Sequence, residues 1–159
     1  MPERLLFTDG SVNNQSKVGY GAYLAISDPG FSLDKLTTEI KVRRFEQTSS
    51  TKLELQTLLW ALKDIQTAGY KVIVYTDSQN IIGLPQRRER LEQNDYRSNK
   101  DIRLNNFELY REFYQQIDQL DCQFVKVCGH QHSKQKGDIE RLFTLVDRAS
   151  RNALREGIV

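Results

Sequence analysis

The stretch Arg4-Leu5-Leu6-Phe7-Thr8-Asp9-Gly10-Ser11 decides the fold predicted for this chain. Its apolar half predicts a strand that is covered on both faces and is therefore central in its sheet. Such a strand delivers Asp9 to the carboxyl end of the sheet, where an acid either serves chemistry or is a solvated turn residue. We interpret Gly10 and Ser11 as a turn, because glycine supplies the φ freedom that an abrupt strand end requires.

The same pattern returns at Lys71 to Gln79, where Val72-Ile73-Val74-Tyr75 leads into Thr76-Asp77-Ser78-Gln79. Two buried strands that both end in Thr-Asp place two carboxylates side by side if the strands are neighbours in one sheet. Because like charges at that distance repel each other, the pair Asp9 and Asp77 needs a cation.

The segment between the two copies, Ser50 to Gly69, predicts a helix with Gly69 as its stop. Its apolar residues recur at helical spacing: Leu55, Leu58, Leu59, Leu62 and Ile65. Glu54, in the first turn, lies on or beside the buried face, where an unpaired carboxylate is costly. Asp9, Glu54 and Asp77 are therefore predicted to converge on an oxygen-rich site, which suits Mg²⁺ or Mn²⁺ rather than zinc.

Length and composition are those of one globular domain spanning 1–159, with no separate cofactor domain. No apolar run approaches the length of a bilayer span and the start does not resemble a signal peptide, so we expect a cytoplasmic protein without a membrane partner. We also expect a monomer without a nucleotide cofactor. Cys122 and Cys128 are interpreted as reduced core residues. The net charge of +2 is too small to establish a nucleic-acid partner by itself.

Further elements are predicted around this centre. These are a strand over Gly19–Ile26, a turn at Asp28-Pro29-Gly30, an edge strand over Phe31–Phe45, a short helix over Ser78–Gly83, a helix over Asn106–Leu120, a strand over Cys122–Val127, a polar loop over Gly129–Gly137 and a last helix over Asp138–Glu156. Pro85 opens an arm, 85–104, that lacks a sustained apolar face and is rich in Arg and Lys. Four acids dilute its charge, so a solvated surface arm is the alternative interpretation.

This order of elements, with acids at the ends of the first and fourth strands, resembles type 1 ribonuclease H over nearly the whole chain. The resemblance is carried in order by several short motifs: Thr8-Asp9-Gly10-Ser11 with Gly19-Tyr20-Gly21-Ala22, Leu53-Glu54-Leu55, Thr76-Asp77-Ser78-Gln79, Asn106-Phe107-Glu108-Leu109-Tyr110 and Gly129-His130. It implies an α/β fold with a five-stranded mixed sheet, three antiparallel strands then two parallel ones, flanked by helices. The arm resembles the basic handle with which that family contacts a duplex.

The resemblance implies endonucleolytic hydrolysis of the RNA strand of an RNA·DNA hybrid, leaving a 5′-phosphate and a 3′-hydroxyl. Four carboxylates can hold two Mg²⁺ or Mn²⁺ ions about 3.5 to 4 Å apart. His130 is expected beside the site, where it shuttles a proton or helps product to leave, unless it is a surface histidine without a role. His132 is the more expected bystander of the two histidines.

The resemblance also implies a set of substrate-binding residues, which comprises Asn14, Ser49, Ser50, Gln79, Arg87, Arg88, Arg90, Lys100 and Asn106. The family usually has Thr-Asn-Asn or Thr-Asn-Gln where this chain has Ser49-Ser50-Thr51. Ser49 keeps a hydroxyl for a phosphate, whereas Ser50 is shorter than the asparagine that reaches a base edge in the minor groove.

The fourth carboxylate is Asp147 or Asp138. The family's acid follows the Gly-His loop by about ten residues, so Asp138 comes early and Asp147 late. Asp138 after Gly137 has the pattern of a helix cap, whose side chain is occupied by helix amides. Asp147 is followed by Ala149, Ser150 and Arg151, which resembles the residues behind the family's acid. Ser150, Ala153 and Leu154 supply a small, apolar face that would let this turn pack tightly on the sheet, so we prefer Asp147. The alternative is that Asp147 only pairs with Arg151 on a solvated face.

Two other functions remain open at this level. A proofreading exonuclease of the same superfamily needs Asp-x-Glu on the first strand, and Asp9-Gly10-Ser11 lacks it. A non-catalytic hybrid-binding protein on the same fold is the second alternative, since fold does not fix activity. Retention of all the acids argues against it.

Overall fold

A computed structural model describes residues 2–27, 33–128 and 137–157 of the chain. Within these ranges the elements are β1 Glu3–Asn13, β2 Val18–Ile26, α1 Leu33–Thr37, β3 Lys41–Phe45, α2 Ser50–Asp64, β4 Lys71–Thr76, α3 Gln79–Gln93, α4 Phe107–Asp118, β5 Asp121–Lys126 and α5 Asp138–Glu156. No helix in this part of the chain is long and apolar enough to cross a membrane.

The five strands form one sheet in the order β3-β2-β1-β4-β5, with β1 in the centre. β1 pairs antiparallel with β2, and β2 antiparallel with β3, whereas β1, β4 and β5 run parallel. The predicted mixed sheet of three antiparallel and two parallel strands is confirmed. The parallel register aligns Phe7 with Tyr75, so Asp9 and Asp77 each lie two residues beyond this pair and at the same level of the sheet.

The two faces of the sheet are covered by different helices. Because successive residues of a strand point to opposite faces, neighbouring residues of β1 pack against different helices. Leu6 packs with α2 and α4 in one core cluster, which includes Leu55, Leu58 and Phe113. Phe7 packs on the other side with residues of α5. A single strand therefore contributes to both cores, and Asp9 shares the parity of Phe7 on the α5 side.

β1 does not turn at Gly10 and Ser11, so that prediction is wrong. The strand continues to Asn13, and the hairpin loop to β2 is formed by residues 14–17. Gly10 is needed for packing instead, because a Cβ there would lie 2.8 Å from Leu53 Cδ2 of α2. Gly21, beside it on β2, is more crowded still, since its Cβ would lie 2.1 Å from Thr57 Oγ1. The two glycines let α2 lie close to the sheet.

The strand predicted over Phe31–Phe45 is also corrected. Residues 28–32 lie outside the described ranges, α1 occupies Leu33–Thr37, and only Lys41–Phe45 pair with β2. Leu36 of α1 and Ile40, which directly precedes β3, both pack in the cluster around Phe7. As predicted, β3 is an antiparallel edge strand.

α3 runs through Pro85 without a break, whereas the sequence predicted a short helix and a new segment from Pro85 onward. Ile81, Leu84 and Leu91 are buried on one face, while Pro85 is exposed and lacks only the donor of one intrahelical bond. Tyr114 of α4 donates its hydroxyl to the Leu84 carbonyl at 2.6 Å and holds this turn in place. The arm therefore consists of the second half of α3 and a loop in which Arg97 bridges Arg103.

Both cysteines are free, but they are not both core residues as predicted. Cys122, in β5, packs against the core cluster on the α2 side, and burial raises the pKa of its thiol to about 12. Cys128 follows β5 and is exposed. The bounds of the last helix, Asp138–Glu156, are those predicted, and Gly157 ends it in the left-handed conformation with φ 65°.

Candidate active site

Asp9 is the centre of a group of carboxyl side chains that come from four elements. It forms a side-chain hydrogen bond with Asp147 of α5 and lies within electrostatic range of Asp77. The negative charge of Asp77 in turn raises the pKa of Glu54 of α2. The structure thus brings together the three acids predicted to converge and the preferred fourth one.

The carboxyl of Asp9 holds its proton far more strongly than an ordinary aspartic acid. Burial is the largest cause, followed by the hydrogen bond with Asp147 and by the negative charges of Asp77 and Asp147. Together they raise the pKa of Asp9 from 3.8 to about 9, against a smaller opposing effect of the Gly10 amide. A half-buried carboxyl among other carboxylates is the arrangement that a bound cation would relieve.

Glu54 is held from the β4 side. Its Oε2 accepts a hydrogen bond from the hydroxyl of Ser78 at 2.6 Å. Burial raises the pKa of Glu54, the Ser78 hydrogen bond lowers it, and the charge of Asp77 raises it. Thr57, one turn further along α2, contributes a fully buried hydroxyl that has no hydrogen-bond partner among the described residues. Thr57 lines a small pocket together with Thr8, Asp9, Glu54 and Asp77.

Asp147 is anchored to the central strand by the residue that follows it by one turn. Ser150 is fully buried and donates to the Asp147 carbonyl at 2.9 Å, so Ser11 of β1 is the donor in the 3.0 Å contact between the two serine hydroxyls. The Asp147 carboxylate also pairs with Arg151 at 3.1 Å. The arginine pair considered as an alternative is therefore present, but it accompanies the contact with Asp9.

Asp138 does not cap α5, so that part of the prediction is wrong. The cap residue is Gly137, which makes no side-chain hydrogen bond, and Asp138 is the first residue of the helix. Its carboxylate is exposed and lies 4.0 Å from Arg141. Because Asp138 lies well over two turns before Asp147 on the same helix, it does not join the carboxyl group around Asp9.

The donor set fits a hard divalent cation, since it consists of carboxylate and hydroxyl oxygens. In the described residues no three Asp, Glu, His or Cys side chains surround one point closely enough to hold an ion as they stand. The carboxyl groups form a chain from Glu54 through Asp77 and Asp9 to Asp147.

Most of the predicted substrate residues are exposed. Ser49 caps α2 by accepting from the Lys52 amide at 3.3 Å, and its hydroxyl proton remains able to donate; Ser50 is the exposed first residue of the helix. Asn14 is exposed in the β1–β2 loop, and Asn106 stands at the start of α4 without a side-chain cap bond.

Gln79 is held by a residue that the sequence interpretation missed. Its Oε1 accepts from Lys126 Nζ of β5 at 2.8 Å. Ser78 was missed as well, although a serine directly after a strand and before an apolar helix is a signal for a helix cap. No comparable signal marks Lys126, because its contact depends on the pairing of β4 with β5.

The four basic residues predicted to contact substrate divide into two pairs. Arg87 bonds to Asn80 Oδ1 at 2.7 Å, and Arg88 forms two bonds to Asp118 as well as one to Glu92. Arg90 and Lys100 are exposed, and neither forms an ion pair with another described residue. The structure therefore leaves Arg90 and Lys100 available to a ligand. His130 and His132 lie outside the described residues.

Comparison with known proteins identifies the family of this chain. The RNase H family model matches residues 2–152. A curated relative, the "Ribonuclease H" of Syntrophomonas wolfei subsp. wolfei, is 26% identical over 158 residues, which cover 98% of each chain.

Two solved structures share the fold. The PFV RNase H domain has a TM-score of 0.75 at 16% identity, covering 95% of this chain and 93% of that one. The foamy viral protease-reverse transcriptase in complex with dsDNA has a TM-score of 0.68 at 15% identity, covering 95% and 96%. The family match spans nearly the entire chain and includes every acid of the carboxyl group, so this protein belongs to the RNase H family and is a ribonuclease.

Proposed function

We propose that the chain is an endonuclease that hydrolyses the RNA strand of RNA·DNA hybrids with two divalent ions, leaving a 5′-phosphate and a 3′-hydroxyl. The observation that carries the proposal is the half-buried Asp9 carboxyl, which is hydrogen-bonded to Asp147 and lies within electrostatic range of Asp77. Repulsion between the negative charges of these carboxyl groups is costly unless a cation binds among them. The phosphates of a nucleic-acid substrate are also negatively charged, so divalent ions would neutralise both the carboxyl groups and the substrate.

Asp9, Glu54, Asp77 and Asp147 are the residues that would hold Mg²⁺ or Mn²⁺. When bound, such ions supply an activated water and stabilise the charge that develops on the leaving oxygen. The chain itself provides the orientation of the carboxylates. Ser78 fixes one oxygen of Glu54, and Ser150 fixes the backbone of Asp147 against β1.

Substrate recognition in this proposal uses the exposed polar residues near the acids. Ser49, Gln79 and Asn106 offer hydroxyl and amide groups to the hybrid. Ser50, which follows Ser49, and Asn14, in the β1–β2 loop, are further polar contacts in this proposal. A protein distinguishes RNA from DNA through 2′-hydroxyls in the wide minor groove, which short polar side chains can reach. His130 serves as a proton shuttle or assists product release.

The arm contributes phosphate contacts through Arg90 and Lys100. Both are exposed and free of ion pairs with other described residues, so they can meet phosphates without breaking contacts of the fold. Arg87 and Arg88 serve the structure of α3 instead, because their guanidinium groups are already engaged. Of the four basic residues that the sequence predicts to contact substrate, the proposal therefore keeps Arg90 and Lys100.

A cleavage assay on a labelled hybrid tests the proposal. We expect cleavage of the RNA strand with Mg²⁺ or Mn²⁺, none with EDTA, and none of duplex DNA or duplex RNA. Asp77→Asn keeps the shape of the side chain but removes its charge, so it should fold and lose activity by orders of magnitude. Binding of the hybrid without cleavage at any metal concentration would contradict the proposal, as would full activity of the Asp77→Asn variant.

A further inference from the structure

Ser78 links the end of β4 to Glu54 through a buried set of hydrogen bonds. Its side chain is only 4% exposed. The hydroxyl donates to Glu54 Oε2 at 2.6 Å and accepts from the Ile81 amide at 3.2 Å, while the Ser78 amide donates to Thr76 Oγ1 at 3.1 Å. Every polar group of the side chain and the backbone amide is therefore used in a fixed direction.

The direction of the hydroxyl proton is what matters for the site. A serine at a helix start needs only its oxygen as an acceptor, and any partner could take the proton. In this protein the Ser78 hydroxyl donates its proton to the carboxylate of Glu54 on α2, which makes a strong, charge-assisted hydrogen bond. Because Ser78 follows Asp77 directly, the end of β4 both supplies the Asp77 carboxylate and orients the carboxylate of Glu54.

We propose that Ser78 is a positioning residue that holds the Glu54 carboxylate, by one of its two oxygens, in the orientation needed to bind a divalent ion. The proposal rests on the proposed function insofar as Glu54 is taken to be a metal ligand. Hydrogen bonds from groups outside the ligand set fix the direction of metal-binding carboxylates, and their loss typically weakens metal binding about 10- to 100-fold.

Ser78→Gly separates positioning from capping. Glycine is itself tolerated at a helix start, so this variant keeps the fold while it removes the donor to Glu54. Calorimetry with Mn²⁺ and no substrate should show binding weakened by about 10- to 100-fold. Cleavage should need correspondingly more Mg²⁺, with the KM for hybrid unchanged once metal saturates the site. Ser78→Thr retains the hydroxyl and should restore Mn²⁺ affinity close to that of the unchanged protein.

Three further variants keep the test decisive. Ser78→Cys preserves the side-chain shape but has a weak donor, so it should behave as Ser78→Gly does even if glycine loosens the helix start. Adding Ser78→Gly to Glu54→Gln should cause no additional loss of Mn²⁺ affinity, because the serine acts through that carboxylate. Tyr114→Phe removes the hydrogen bond to the Leu84 carbonyl of α3 and should lower thermal stability while leaving Mn²⁺ affinity unchanged.

The result that would overturn the proposal is unchanged Mn²⁺ affinity in both Ser78→Gly and Ser78→Cys with a lowered melting temperature, which is the signature of a helix cap alone. Equal weakening by Tyr114→Phe would overturn it too, because any loosening of α3 would then be sufficient. Failure of the proposed function has a different signature, since the unchanged protein would bind Mn²⁺ with the expected dependence on Ser78 and yet leave hybrids intact.

Discussion

The carboxyl groups of Asp9 and Asp147 are hydrogen-bonded to each other although they lie near opposite ends of the chain. Two carboxyl groups can share a hydrogen bond only while one of them carries a proton. Without a cation, the folded protein therefore keeps a proton on Asp9 that the unfolded chain would release at an ordinary pKa. Stability and proton binding are linked at this site.

The first prediction concerns this linkage. The pKa of Asp9 is higher in the folded state, so its contribution favours folding at low pH and is lost as pH rises from about 4 towards about 9. In EDTA at about pH 8, Asp9→Asn should therefore be more stable than the unchanged protein, by at least about 1 kcal/mol. Below about pH 4 the difference should vanish. Thermal unfolding in EDTA across this range measures it.

Addition of Mg²⁺ provides the control for that measurement. It should raise the melting temperature of the unchanged protein at about pH 8 and raise that of Asp9→Asn much less, because only the former gains a charged ligand. If Asp9→Asn is less stable than the unchanged protein throughout the pH range in EDTA, the burial of a repelled carboxyl is not the dominant effect.

The second prediction separates the two acids of α5. Asp147→Asn should cut cleavage by orders of magnitude and raise the Mg²⁺ concentration required, because it removes one charge from the group around Asp9. Asp138→Asn should leave cleavage near its original rate and change stability by less than about 1 kcal/mol, since its pair with Arg141 is exposed. Steady-state rates at several Mg²⁺ concentrations test both. Loss of cleavage in Asp138→Asn alone would show that this assignment of the fourth carboxylate is wrong.

The third prediction concerns the approach of α2 to the sheet. Gly21→Ala should destabilise the fold by about 1 to 3 kcal/mol, because the new Cβ would lie 2.1 Å from Thr57 Oγ1. Adding Thr57→Ala should recover part of this loss. The matched control is Gly83→Ala in α3, where the nearest atom, Arg87 Nε, is 3.7 Å from the new Cβ. That change should stabilise the helix by about 0.5 to 1 kcal/mol. Urea unfolding compares the three variants, and equal effects of the two glycine substitutions would argue against tight packing at Gly21.

The fourth prediction tests the basic residues of the arm. The double variant Arg90→Ala and Lys100→Ala should weaken hybrid binding and lower the salt dependence of log Kd by about one for each phosphate that is no longer neutralised. Arg88→Ala should lower stability slightly and leave the salt dependence unchanged, because its guanidinium group is already bound to Asp118. Binding is measured in Ca²⁺ or EDTA, where cleavage is not expected. An unchanged slope in the double variant would return the arm to a solvated surface.

The sequence predicted most of the sheet and the acids because both follow from short-range patterns. Apolar runs that end in Thr-Asp determined where β1 and β4 lie, and their parallel pairing brings Asp9 and Asp77 to one level. The errors share a different cause. Gly10 suggested a turn by its own conformational freedom, whereas its role depends on Leu53, which is distant in sequence.

The same distinction explains the other corrections. Because proline removes a backbone donor, the sequence predicts a new segment from Pro85, yet the buried stripe of Ile81, Leu84 and Leu91 outweighs that loss. Asp138 matched the pattern of a cap, but the chain uses Gly137. The dual bonding of Ser78 could be predicted only as a cap, since its donor bond requires knowing where Glu54 lies.

The contact of Ser11 with Ser150 has a consequence for how this chain can change in length. The position of Asp147 is set from its C-terminal side, by a buried residue one turn later that is tied to the central strand. The turns of α5 that precede Asp147 add Leu142, Phe143 and Val146 to the core. We therefore expect residues gained or lost at the start of α5 to cost core stability, while the contact of Ser11 with Ser150 keeps the Asp147 carboxylate beside Asp9.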